Sequence, residues 1–154
     1  MSTAFTPYIH FIDDAREAMT FYGSVFGAEP QFMTFGEANQ AGGAGGGEFA
    51  DRIMHSSLFV GPGQHIMASD SMPGHEAAES AGRIQIAVSS DGAEPDAEQR
   101  LTAWFEALSD GADVLQPLTA APWGDTFGML VDRYGIRWMF SIPASDQAEP
   151  SNLP

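Results

Sequence analysis

The chain repeats itself, and the repeat restricts its possible folds more than any single motif does. Thr6-Pro7-Tyr8-Ile9-His10-Phe11-Ile12 and Gly82-Arg83-Ile84-Gln85-Ile86-Ala87-Val88 both read as opening strands. Each leads to a helix with adjacent aromatics, Phe21-Tyr22 in one half and Trp104-Phe105 in the other. The helices exit through similar turns, Phe26-Gly27-Ala28-Glu29 and Asp110-Gly111-Ala112-Asp113. The halves close on matching strands, Gly63 to Ser69 and Gly135 to Ser141. Two strand-helix-strand-strand-strand units imply an α+β fold with a curled mixed sheet lining a cleft, and facing positions across a shared cavity. The expected organisation is one domain over 1–142, built of modules at about 5–70 and 82–142, with a frayed tail at 143–154.

Local signals supply the elements. Asp13-Asp14 can cap a helix through side-chain oxygens. The helix then sets Ala18, Phe21, Tyr22, Val25 and Phe26 on one face and ends at Gly27. Gln31 to Phe35 reads as a strand, and Gly36 to Glu48 as a loop with a glycine run at Gly42 to Gly47. That run lacks the Lys-Ser/Thr of a phosphate loop, so it reads as a flexible connection, with a mobile flap as the sharper alternative. Arg52 to Val60 and Gln64 to Ser69 form a hairpin through Gly61-Pro62-Gly63. Asp70 to Ala81 is the crossover, with Asp70 closing its strand. In the second half a helix runs from Pro95 or Asp96 to Ser109, followed by strands at Asp113 to Leu118, Thr126 to Val131 and Ile136 to Ile142.

Composition excludes several classes. A net charge of −15, with only six Lys+Arg, argues against nucleic acid, whose phosphates need a basic surface. The acids are scattered, as on a solvated surface or in adaptation to a saline habitat. No apolar run approaches the ~20 residues that span a bilayer, and no basic-then-apolar leader opens the sequence. With no cysteine there is no disulfide, thiolate ligand or cysteine nucleophile. A cytoplasmic protein is the expectation.

Strand alternation assigns faces. Ile84, Ile86 and Val88 should pack on the helix, as should Ile136, Trp138, Phe140 and Ile142. Arg83, Gln85, Arg137, Met139 and Ser141 then share a semi-polar face that would line the cleft.

The chain resembles the vicinal oxygen chelate superfamily of glyoxalases, bleomycin-resistance proteins and extradiol dioxygenases, in its PhnB-like branch. The resemblance rests on Pro7-Tyr8-Ile9-His10-Phe11, Glu17-Ala18 with Phe21-Tyr22, Met33-Thr34-Phe35-Gly36-Glu37 and Ile53-Met54-His55. It continues through Met67-Ala68-Ser69-Asp70, Trp123-Gly124, Phe127-Gly128-Met129 and Asp132-Arg133-Tyr134-Gly135 with Trp138-Met139. It implies paired βαβββ modules curled around a cavity, and commonly a homodimer. Metal-dependent members carry His/Glu ligands on the first and last strands of each module. By strand register those positions fall here on Pro7, Met67, Arg83 and Met139, none of them a fitting donor for Zn, Ni, Mg or Mn. No metal and no cofactor is expected.

Four histidines remain. His10 is expected to face the helix as a packed side chain. His65 can reach the cleft or lie at its rim, and His75 sits in the crossover. His55 is either a structural histidine or a ligand-contacting donor and general base, the weak candidate for a catalytic residue. The ligand-binding set is Phe11, His55, Met67, Arg83, Gln85, Trp123, Arg137 and Met139. Ser56 and Ser57 lack the turn context of a catalytic serine. The leading expectation is metal-free binding of a small organic anion or polar aromatic compound, because a buried arginine needs an accepting partner. A lyase, isomerase or dioxygenase using a non-standard metal or acid–base site is the alternative. A structural or regulatory dimer with a vestigial pocket is the third. No glycine-rich adenosylmethionine loop supports the methyltransferase name that some similar proteins carry.

Overall fold

The computed structural model of the protein describes residues 4–40, 47–71, 84–90, 94–122 and 124–144, apart from the side chains of residues 39 and 40. Arg83, Trp123, His75, most of the glycine run, the crossover beyond Ser71 and the tail beyond Ala144 lie outside the described residues. The chain divides into two compact units, Met1–Glu79 and Ser80–Pro154.

In the first unit, β1 (Tyr8–Phe11) leads to α1 (Ala15–Phe26), β2 (Gln31–Thr34), α2 (Phe35–Gln40), a single 3-10 turn at Gly47–Phe49, β3 (Ile53–Gly61) and β4 (Gln64–Asp70). The sheet order is β1-β4-β3-β2, with β1 parallel to β4 and the other pairs antiparallel. α1 buries Ala15, Ala18, Met19, Tyr22, Val25 and Phe26, the 3-4 spacing of one helical face. Burying a side chain such as Met19 contributes about 1.5–3 kcal/mol. α1 packs on β3 and β4, and Phe11, Leu58, Ile66 and Ala68 of the sheet are buried.

Three local expectations are corrected. Asp14 stands at the start of α1 but makes no side-chain capping bond. The helix start is satisfied by Asp70, whose Oδ1 accepts the Ala15 N–H at 2.9 Å. The strand after α1 stops at Thr34 rather than Phe35, and Phe35–Gln40 is a helix rather than the start of a loop. Its signal is a reciprocal capping box. Thr34 N–H donates to Glu37 Oε2 at 2.8 Å, and Glu37 N–H donates to Thr34 Oγ1 at 3.1 Å.

The second unit runs β5 (Ile86–Ser89), α3 (Ala97–Leu108), β6 (Asp113–Ala120), β7 (Thr126–Val131) and β8 (Arg137–Ile142). Its order β5-β8-β7-β6, with β5 parallel to β8, matches that of the first sheet. Leu101, Phe105 and Leu108 of α3 are buried, as are Leu130, Trp138, Phe140 and Ile142 of the sheet. Phe105 meets Phe140 edge to face at 5.4 Å. Gly128 makes this seat possible, because a Cβ there would fall 2.9 Å from the Phe105 ring. The β7–β8 hairpin is fastened by Asp132. Its Oδ1 accepts the N–H groups of Tyr134 and Ile136, and its Oδ2 accepts the Trp138 indole N–H at 2.8 Å. Ile84, expected to pack on α3, precedes the strand and is 77% exposed.

Both sheets are mixed and four-stranded, and neither is closed: each ends at two edge strands. The architecture is therefore α+β with a βαβββ order in each unit.

Candidate functional site

The ladder between β1 and β4 decides which side chains meet. It sets Tyr8 beside Met67, Ile9 beside Ala68, His10 beside Ser69 and Phe11 beside Asp70. Paired residues share a face, so Tyr8, His10, Met67 and Ser69 lie on one side, and Phe11 and Ala68 on the side packed against α1. β3 adds His55, Ser57 and Phe59 to the face turned from α1, and β4 adds His65. Met33 of β2 joins them opposite His55.

Two assignments are thereby reversed. Phe11, expected in the cleft, is 5% exposed on the helix side. His10, expected on the helix side, faces the other way. The cause is register: Tyr8, not Pro7, stands opposite Met67, and a slip of one residue exchanges every side chain between faces. The second unit moves further. Ala87, not Arg83, pairs with Met139. Gly63 and Gly135 occupy equivalent left-handed turn positions, at φ 73 and 82°, so Met67 and Met139 correspond. Tyr8 therefore corresponds to Ala87.

The face turned from α1 carries three imidazoles, each with a hydroxyl partner. Tyr8 Oη lies 3.1 Å from His55 Nδ1, a bond in which the phenol can donate to a neutral ring. Ser69 Oγ lies 3.2 Å from His10 Nδ1, and Ser57 Oγ 2.6 Å from His65 Nε2. The Tyr8 ring is 5.2 Å from His10 and 5.7 Å from His55, so it lies within stacking range of both. Phe59 meets His65 edge-on at 6.1 Å and is 64% exposed. Met67 lies between the two groups. Such a surface can accept and donate hydrogen bonds over a soft, polarisable floor, and the Tyr8–His55 pair can hold or pass a proton.

Tyr8, Ser57, His65, Phe59 and Met33 were absent from the expected set. Alternation along 55-57-59, joined to 65-67 by the Gly61-Pro62-Gly63 turn, is the signal that would have found them.

In the second unit Arg137 and Met139 share the face turned from α3 with Val131, Met129 and Phe127 of β7. Gln85 lies before β5 and is exposed. Arg83 and Trp123 lie outside the described residues.

Met67 and Met139, two of the positions that the resemblance marks for metal ligands, stand beside Tyr8 and Ala87 in the ladders rather than beside Pro7 and Arg83. A phenol already bonded to His55, two thioethers and a methyl group do not fit a Zn, Ni, Mg or Mn site. Among the described residues no group of three or more His, Asp or Glu side chains is arranged to hold a metal ion. Asp14 has its pKa raised by burial first and then by the charges of Asp13, Asp70 and Glu17, partly offset by a backbone hydrogen bond. It belongs to the helix start, not to the imidazole face. No described helix is long and apolar enough to cross a membrane.

Known proteins share this arrangement over nearly their whole length. Protein PA1353 from Pseudomonas aeruginosa is 31% identical, with a TM-score of 0.73 over 92% of this chain and 98% of that one. A protein from Bacillus cereus described as a putative 3-demethylubiquinone-9 3-methyltransferase, PhnB protein, is 24% identical, with a TM-score of 0.65 over 91% and 99%. Protein YjdN of Escherichia coli K12 is 26% identical over 89% of this chain and 93% of its own. Residues 7–140, which include both long helices and all but the last two residues of the two sheets, match a single family. The chain belongs to the glyoxalase/bleomycin resistance protein/dioxygenase superfamily.

Proposed function

We propose that this member of the superfamily binds a small organic molecule, an organic anion or a polar aromatic compound, without a metal at the inherited strand positions. The observation that carries the reading is the Tyr8–His55 pair, 3.1 Å apart on a sheet face that α1 leaves uncovered. A merely solvated face would present long charged side chains. This one presents imidazole, phenol, hydroxyl and thioether groups over a few strand positions, the mixture of apolar surface and a few placed polar groups that marks ligand sites. The protein acts as a soluble cytoplasmic homodimer in this reading.

A thermal-shift screen of organic acids and aromatic compounds at pH 7 tests it. Binders should stabilise the wild type, and Tyr8→Phe and His55→Gln should reduce the shift for compounds that use that face. If no class stabilises the wild type, the binding reading fails and a vestigial-pocket dimer takes its place. Metal analysis of the purified protein is the companion measurement: stoichiometric Zn, Ni, Fe or Mn held by protein side chains would overturn the metal-free part. The same Tyr8–His55 contact favours a second reading, a lyase or isomerase that moves a proton by acid–base chemistry. Turnover of a stabilising compound, lost in His55→Gln while binding persists, would select that reading.

A further inference from the structure

The six basic residues are all arginines: Arg16, Arg52, Arg83, Arg100, Arg133 and Arg137. Four of the five described ones have structural work. Arg16 lies over the Phe32 ring at 4.8 Å. Arg52 lies over Phe49 and donates to the carbonyls of Ser71 and Ile12. Arg100 pairs with Glu94 and lies over Trp104. Arg133 holds Asp110 through its carboxylate and its carbonyl. Arg137 has no hydrogen-bond, ion-pair or ring partner among the described residues. In a chain with 21 Asp+Glu, a half-buried arginine with no partner among the described residues is unexpected. The acid in its own cross-strand row, Asp113, is two strands away behind Val131.

We propose that Arg137 anchors a site in the second unit for a singly charged carboxylate with an apolar body. The proposal rests on the small-molecule-binding reading and narrows its ligand class. Beyond Arg137 the same face continues as Val131, Met139, Met129 and Phe127, all half-buried. Arg137 and Met139 are about 7 Å apart along the strand, the reach of a short alkyl chain or one ring. The row ends at Ser141, which is buried and donates to Asp125 Oδ2 at 3.2 Å. A carboxylate is thus drawn to the Arg137 end and repelled from the Asp125 end, while the methionines take an apolar body in between. Charge sets the valence. One guanidinium neutralises one negative charge, and a net charge of −15 opposes a second.

Isothermal titration of the full chain at pH 7 with octanoate, octanamide and the dianion suberate tests this directly. The wild type should bind octanoate more tightly than either of the others. Arg137→Gln should weaken octanoate at least about tenfold and leave octanamide unchanged, since one charge-assisted pair is removed. Arg137→Lys should fall between, and Val131→Glu, which brings a carboxylate to the guanidinium, should also weaken octanoate. Circular dichroism establishes that each variant is folded. Equal octanoate affinity in wild type and Arg137→Gln, or equal affinity of the wild type for octanoate and octanamide, overturns the assignment alone. So does binding confined to neutral aromatics in the wider screen. Absence of binding by every compound overturns the general reading with it.

Discussion

Asp70 caps a helix that begins 55 positions earlier in the chain, its Oδ1 accepting the Ala15 N–H at 2.9 Å. Its Oδ2 accepts the Ile53 N–H at 2.8 Å, and the residue is only 5% exposed. One carboxylate at the end of β4 therefore fixes the start of α1 and the start of β3. In Asp70→Asn one of these N–H donors would face an NH2 group in a buried place. The expected loss is about 2–4 kcal/mol. Thermal denaturation reads this at roughly 2–4 °C per kcal/mol for a chain of this size. An unchanged melting temperature would contradict the cap.

Asp132 does the corresponding work in the second unit, with both oxygens occupied by Tyr134, Ile136 and the Trp138 indole. Asp132→Asn should cost about 2 kcal/mol. Tryptophan emission should change as Trp138 loses its acceptor, a readout separate from the melting curve.

Gly128→Ala puts a methyl group 2.9 Å from Phe105 and 3.0 Å from Leu118. Phe105 has little room to give way, since it is buried against Phe140. Destabilisation of about 1–3 kcal/mol is expected. Phe105→Leu in the same chain should recover part of it, and a double-mutant cycle measures how much.

The Glu37 carboxyl is held below its ordinary range by the Thr34 backbone N–H, then by the Thr34 hydroxyl, with a smaller contribution from Arg16. Because the folded pKa is the lower one, the stabilisation is complete above the ordinary value of 4.5 and fades as pH falls through the folded value. Glu37→Gln should therefore weaken hydrogen-exchange protection of α2 near neutrality, and the difference from wild type should vanish in acid. A difference that persists undiminished at low pH would rule out the carboxylate as its source.

Asp14 has the opposite sign. Burial, and then the charges of Asp13, Asp70 and Glu17, raise its pKa against the opposing backbone hydrogen bond. The ionised form is thus disfavoured in the folded protein at neutral pH, and the penalty disappears as pH falls below the ordinary value of 3.8. Asp14→Asn should raise the melting temperature at pH 7 and leave it unchanged in strong acid.

The two long helices and the late strands are legible because each carries a strong local period. Met19, Tyr22 and Phe26 repeat at helical spacing, and Trp138, Phe140 and Ile142 alternate. The face of β1 was not legible. Four residues, Tyr8–Phe11, make too short a strand for alternation to decide, and its register comes from hydrogen bonds to β4 rather than from its own side chains. A slip of one residue there exchanges Phe11 and His10 between the two faces. Arg137 and Met139 share a strand face that alternation makes legible, because β8 is longer than β1 and has an unmistakable apolar side. Helix α2 is hidden by its length: six residues carry too little period, and only the Thr34–Glu37 spacing marks it. Asp70 as a cap lay beyond local reading, since its helix begins far away in sequence.

The parallel pairing of β1 with β4 also governs how the protein can fold. His10 and Ser69 are ladder neighbours 59 positions apart, so the first sheet cannot be completed until nearly all of its unit has been gathered. β5 and β8 impose the same delay in the second unit. Hairpins β3–β4 and β7–β8 close locally and early, whereas each opening strand waits for its far partner at the full loop-closure entropy. During synthesis β1 emerges first and is joined last, and until then the edge of β4 that it will cover stays open.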